Sequence, residues 1–334
     1  MTWREQRTVA RLGAVLCVLM VAVLVVLGMK YRENRAEPAF SSSAAAASAA
    51  EEHTACTALT YYNGTATLDF RRSESGKWVW TAEEDFPLDD TQLTAILETL
   101  SAMAPRETIE AVEDLDDLGL EAPRATISAT YEGGSTFSLS FGNATAEGNG
   151  CYVLQNGASS PVYIYDAGIL ELMNMGIYDM CILPEFPALT ETTAQRITIQ
   201  GVADANGVVP RSTMDANGEG EALSFISDGK NITDKARVKD LFEDLSAFAY
   251  EKCVIYRPSD EAVALCGFSA PTATLWANYV TATDIEEHLQ LTIGNLTLDG
   301  GARYVRLGGD ESIYAVPTEL LDSILVIALS GFSG

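Results

Sequence analysis

The chain has 334 residues, 47% of them hydrophobic, enough for about two domains with substantial cores. Its 21 Lys and Arg face 47 Asp and Glu, for a formal net charge of −26. After position 35 the balance reaches −30, a charge that repels phosphate backbones and anionic headgroups and argues against nucleic-acid or peripheral lipid binding by that part.

The first element is an uncharged run of 18 residues, LGAVLCVLMVAVLVVLGM, from Leu12 to Met29. As a helix it would span about 27 Å, close to the hydrocarbon thickness of a bilayer. Arg4, Arg7 and Arg11 precede it, and Lys30, Arg32 and Arg35 follow. This symmetric charge does not set orientation by itself. Nearly all of the chain follows the helix, so the expected arrangement is a signal anchor. Residues 1–11 are then cytoplasmic, 12–29 cross the membrane, and the body lies outside the cell. The small residues of SSSAAAASAA (41–50) begin too far beyond the apolar run for ordinary signal cleavage. Residues 30–54 read as a flexible tether.

The rest of the chain repeats itself. LGLEAPRATISATY (118–131) aligns with CGFSAPTATLWANY (266–279), and FSLSFGN (137–143) with LQLTIGN (289–295). Upstream, Leu93, Ile96, Leu97, Leu100 and Met103 recur as Val238, Leu241, Phe242, Leu245 and Phe248. Both sets have the spacing of one apolar helical stripe. Trp78 and Trp80 correspond to Leu223 and Phe225, alternate residues of a strand with one buried face. The expected fold is therefore α+β, as two tandem copies of a mostly antiparallel sheet with packed helices, 55–185 and 186–334. Each copy reads as strand, amphipathic helix, short helix, four strands and a closing helix. Asp89 or Asp90 caps the first amphipathic helix. Leu115–Leu118 makes a helical turn closed by Gly119, and Glu132-Gly133-Gly134 turns one strand into the next. Segments 151–155 and 162–165 form a hairpin, and 166–175 a helix. The apolar stretch TELLDSILVIAL (318–329) is too short to cross a bilayer and reads as a core helix.

Chemistry is scarce. His53 lies in the tether and His288 beside a strand, neither with an evident triad partner. Ser227-Asp-Gly-Lys230 matches S-x-x-K, but it stands in a polar loop without the accompanying elements. The six cysteines form no C-x-x-C pair, and no zinc ribbon is expected. Cys17 lies in the anchor. Cys56, Cys151, Cys181, Cys253 and Cys266 read as small core hydrophobes, with a Cys253–Cys266 disulfide as the alternative. Asp215, Asn217, Glu219 and Glu221 place oxygen donors at alternate positions around Gly220, half of an EF-hand loop and a weak calcium candidate. The bidentate Glu that such a loop needs is Ile226. Asn143 and Asn295 fit the glycosylation sequon and read as turn residues. No nucleotide loop is present, and no cofactor is expected.

The anchor, the tryptophan strand before the DDTQLTAILETL helix, the LGLEAP turn and the FSLSFGN…YVLQNG hairpins together resemble the bacterial family catalogued as domain of unknown function 4340. The resemblance covers roughly residues 60–330. It implies a single-pass exported protein found beside gliding-type ABC transporter components, and it carries over no functional residue. The expected function is a non-enzymatic module that binds or scaffolds an envelope or ABC-transporter protein, with strand addition at exposed sheet edges as one route. The alternative is an envelope hydrolase using carboxylates such as Asp166 or Asp179 in a cleft between the repeats.

Overall fold

Two strands precede the tryptophan strand. In Cys56–Tyr62 (β1) and Thr67–Arg72 (β2), alternate residues Leu59, Tyr61, Leu68 and Phe70 are buried. The antiparallel register sets Leu59 opposite Phe70 and Tyr61 opposite Leu68, so cross-strand pairs build one apolar face. Asn63 Oδ1 accepts the backbone N–H groups of Thr65 and Ala66 at 3.1 and 3.0 Å and closes the turn between them. The computed structural model that carries these elements describes residues 55–333. The proposed anchor at 12–29 and the tether at 30–54, with His53, lie outside the described residues. Among the described residues no helix is long and apolar enough to cross a membrane.

Trp78–Trp80 (β3) is followed by the helix Thr91–Ala102 (α1). Asp89 Oδ1 accepts from the Thr91 N–H at 3.0 Å and the Thr91 hydroxyl at 2.6 Å, which fixes the start of α1. Leu93, Ile96 and Leu100 are its buried stripe, each side chain worth roughly 1.5–3 kcal/mol on burial. After Glu107–Ile109 (β4), the helical turn ends as expected. Gly119 has φ +68°, and the Leu120 N–H returns to the Leu115 carbonyl at 2.9 Å. Ala125–Tyr131 (β5), Thr136–Ala144 (β6), Cys151–Gln155 (β7) and Val162–Tyr165 (β8) follow. Gly168–Met173 (α2) and a 3-10 turn, Ile177–Met180, come next.

The later part begins with Ala194–Gln200 (β9), Arg211–Asn217 (β10), Ser224–Ser227 (β11) and Lys230–Asn231 (β12). Helix Ala236–Ala247 (α3), Lys252–Ile255 (β13) and the short helix Asp260–Leu265 (α4) follow. The chain then runs through Ala273–Val280 (β14), Glu286–Leu296 (β15), Ala302–Leu307 (β16) and Ile313–Pro317 (β17), ending on Asp322–Ser330 (α5). In α5, Ile324 and Ile327 are buried, the placement of a core helix.

The fold is α+β with two antiparallel sheets and few helices. One sheet has the order β3-β2-β1-β5-β6-β7-β8-β4, and the other β12-β11-β10-β9-β14-β15-β16-β17-β13. Contacts divide the described residues into two compact units. One holds Met103–Ser128 and Ser135–Ala167, around Ile109, Leu118, Leu120, Leu154, Val162 and Ile164. The other holds Ala55–Ala102, Ala129–Gly134 and the chain from Gly168 onward; its core includes Phe86, Ile197, Leu241, Leu275, Ile293 and Ile324.

Asn143 and Asn295 do not sit in turns. They lie within β6 and β15 at register shifts that break the pairing with β7 and β16. In each unit a glycine precedes the asparagine and lets a helical turn press onto the strand. A Cβ at Gly142 would stand 2.2 Å from the Leu118 carbonyl oxygen, and one at Gly294 2.1 Å from that of Cys266. The Asn143 and Asn295 N–H groups donate to those two oxygens at 2.7 and 2.8 Å. Their side-chain amides reach one residue back, to Asp117 and Leu265 carbonyls at 3.1 and 3.0 Å. This clasp fixes where the end of α4 emerges.

Candidate functional site

In the larger unit, several reactive side chains gather around Cys181 and Cys253. Cys181 ends the 3-10 turn Ile177–Met180 and forms an isolated bridge with Leu88. The Asp89 N–H donates to the Met180 carbonyl and the Ile182 N–H to the Pro87 carbonyl, both at 2.7 Å, so this stretch is pinned like a short strand. Cys253 stands on β13, opposite Tyr314 of β17. The 3-10 turn packs against β13, and both cysteines belong to one apolar cluster.

The two thiols interact, and that interaction is the largest influence on the proton affinity of each. It holds Cys181 below the ordinary thiol range and pushes Cys253 up. Tyr250 and Tyr314 stack obliquely beside them, ring centroids 5.0 Å apart. Burial, together with the Asp310 charge, raises both phenols. The Tyr314 hydroxyl donates to Asp310 Oδ2 at 2.8 Å, whereas the buried Tyr250 hydroxyl has no hydrogen-bond partner. Cys181 also lines a cavity of about 320 Å³ with Tyr178, Asp179, Leu183 and Lys252. Cys181 thus borders the cavity, and Cys253 is the more deeply buried of the two.

A second feature is a surface. Leu265, Leu296 and Leu298 are 72%, 46% and 104% exposed. The Asn295 amide that binds the Leu265 carbonyl holds the end of α4 beside the end of β15, so the segments that carry these leucines are neighbours. Exposed apolar side chains gathered in one place mark interaction surfaces.

The residues singled out in the sequence fall elsewhere. Asp215, expected in a half EF-hand loop, is within β10 and pairs across the sheet with Arg196 at 2.5 Å. Asn217 ends the strand, while Glu219 and Glu221 lie in or beside the 3-10 turn Gly220–Ala222. Among the described residues no group of three or more His, Cys, Asp or Glu can hold a metal ion. The polar loop containing S-x-x-K is a two-residue hairpin turn: Asp228 and Gly229 both have positive φ, and Ser227 pairs with Lys230, the type I′ geometry that Asp-Gly favours. His288 contacts Asn278 Oδ1 across β14 and β15 at 3.0 Å. Asp166 is paired with Arg106 at 2.6 Å, and Asp179 Oδ2 accepts the Gly176 N–H at 2.8 Å. Cys253 and Cys266 are not joined. All five cysteines among the described residues are free thiols, four of them buried, as small core residues.

Comparison with known families adds one finding. Residues 78–181 match the family described as Domain of unknown function (DUF4340). That stretch runs from β3 to Cys181, so it takes in α1, the Gly119 turn and both hairpins of β5 to β8. Neither the curated proteins nor the solved structures yield a match.

Proposed function

We propose that the protein is a membrane-anchored, extracytoplasmic binding or scaffolding module for an envelope or ABC-transporter complex, built from two tandem copies of one folding unit. The duplication is supported by strand order. Reading β11, β10, β9, β14, β15, β16, β17 and β13 against β3, β2, β1, β5, β6, β7, β8 and β4 superposes every neighbour relation, with β12 as an addition. The paired clasps at Gly142-Asn143 and Gly294-Asn295 support it independently. The uncharged run at 12–29 supports the anchor.

The observation that carries the binding function is the leucine surface. At the positions of Leu265, Leu296 and Leu298 the first copy has Asp117, Ala144 and Ala146. The same clasp therefore forms without leucines, and their exposure is a property of the second copy rather than of the fold. Capture of the full-length protein from membranes tests this. Wild type retains an envelope or transporter protein that a Leu265→Asp, Leu296→Asp, Leu298→Asp variant loses. Identical captures by the two, or no envelope protein with either, would reject the function. The anchor has its own test: a membrane-impermeant lysine reagent labels the body in intact cells.

A further inference from the structure

We propose that Cys181 and Cys253 form a reversible dithiol–disulfide site, which takes an external disulfide as oxidant and, when closed, ties the 3-10 turn after α2 to strand β13. The geometry carries this assignment. The chain brings together two cysteines far apart in sequence, through elements that pack directly on each other. Both cysteines lie in one apolar cluster. They differ in access: Cys181 is 9% exposed and lines the cavity beside Tyr178 and Lys252, whereas Cys253 is 2% exposed.

This asymmetry assigns the roles. Cys181, as thiolate, attacks one sulfur of the incoming disulfide; that S–S bond breaks, one thiol departs, and a mixed disulfide remains on Cys181. Cys253 then attacks the Cys181 sulfur, releasing the second thiol and leaving the Cys181–Cys253 bond. Two protein thiols are oxidised, one external disulfide is reduced, and the two protons leave on the released thiols. Exchange of this kind favours attack by the more accessible thiol with a partner within reach. The cavity wall carries Lys252 together with Asp179 and Glu251, so its charge sets no preference for an anionic oxidant.

The test uses the full-length protein in detergent, treated with oxidised glutathione, blocked with N-ethylmaleimide and mapped as peptides without reduction. The expected result is one linked pair joining the Cys181 and Cys253 peptides, abolished by dithiothreitol, with a loss of two titratable thiols per chain. In Cys253→Ser, glutathione is expected to remain trapped on Cys181, and in Cys181→Ser neither link nor trapped glutathione forms at Cys253. Wild type that keeps both thiols reduced while folded would overturn the proposal, and so would linkage of either cysteine to Cys56, Cys151 or Cys266. Mapping of the wild type decides the matter even if a variant fails to fold.

Discussion

Replacing Gly294 with alanine tests the clasp that positions the leucine surface. The new Cβ would stand 2.1 Å from the Cys266 carbonyl oxygen, and 3.0 Å is the shortest separation that real Cβ atoms tolerate. The turn must therefore open by about 0.9 Å, and the obstructing atom is backbone, which cannot swing aside as a side chain would. That movement also stretches the bond from the Asn295 N–H to the same oxygen, now 2.8 Å. Overpacking costs about 1–3 kcal/mol, and weakening a backbone hydrogen bond adds about 1 kcal/mol, so destabilisation of roughly 2–4 kcal/mol is expected. Urea unfolding followed by fluorescence of Trp276, on the neighbouring strand β14, measures it. Gly300→Ala is the control. Gly300 has φ +75° with nothing within 4 Å of an added Cβ, so only the backbone penalty of about 1 kcal/mol applies. A Gly294→Ala midpoint at or above that of Gly300→Ala would refute the steric reasoning.

Three further outcomes follow from packing and charge. Ile324→Ala should lose about 2–5 kcal/mol, since Ile324 is wholly buried, while Leu329→Ala, on the exposed side of α5, should stay within about 0.5 kcal/mol of wild type; equal midpoints in urea would contradict the placement of the helix. Arg257 binds Glu83, Asp85 and Glu311 at 2.9, 3.2 and 3.1 Å, so Arg257→Ala should lower the melting temperature, and the difference should shrink with added salt as screening weakens exposed pairs; a salt-independent difference would contradict an electrostatic role. Burial, with the hydrogen bond to Glu287 at 2.6 Å, raises the Tyr279 phenol to about 12. The folded state then keeps a proton that the unfolded chain releases near pH 10, so this stabilisation is complete below pH 10 and is lost as the pH rises through about 12. Urea midpoints of Tyr279→Phe should fall less steeply than wild type across that window, and parallel slopes would reject the linkage.

Legibility in the sequence followed turn chemistry. The Gly119 turn, the Gly133-Gly134 turn and the β7–β8 hairpin were readable because glycine and short polar segments leave little conformational choice. The strands β1 and β2 escaped notice, although Leu59, Tyr61, Leu68 and Phe70 alternate around Asn63-Gly64 and carry the period-two signal. Asn143 and Asn295 looked like turn residues because a Gly-Asn pair ordinarily marks a turn; here glycine serves the close approach of another segment. Alternating oxygen donors describe a metal loop and also one face of a strand, and Asp215 stands on such a strand, β10, paired with Arg196. The Cys181–Cys253 pair had no local signal, because tertiary packing alone makes the two residues neighbours.

Each sheet is bordered by very little strand. β3 and β4 contribute three residues apiece, β12 two and β13 four. Unpaired backbone groups at such borders offer scant template for another chain to extend the ladder. Many molecules of this protein crowded side by side would therefore have little means of polymerising through their sheets, and association would be left to side chains, which a sequence can tune position by position.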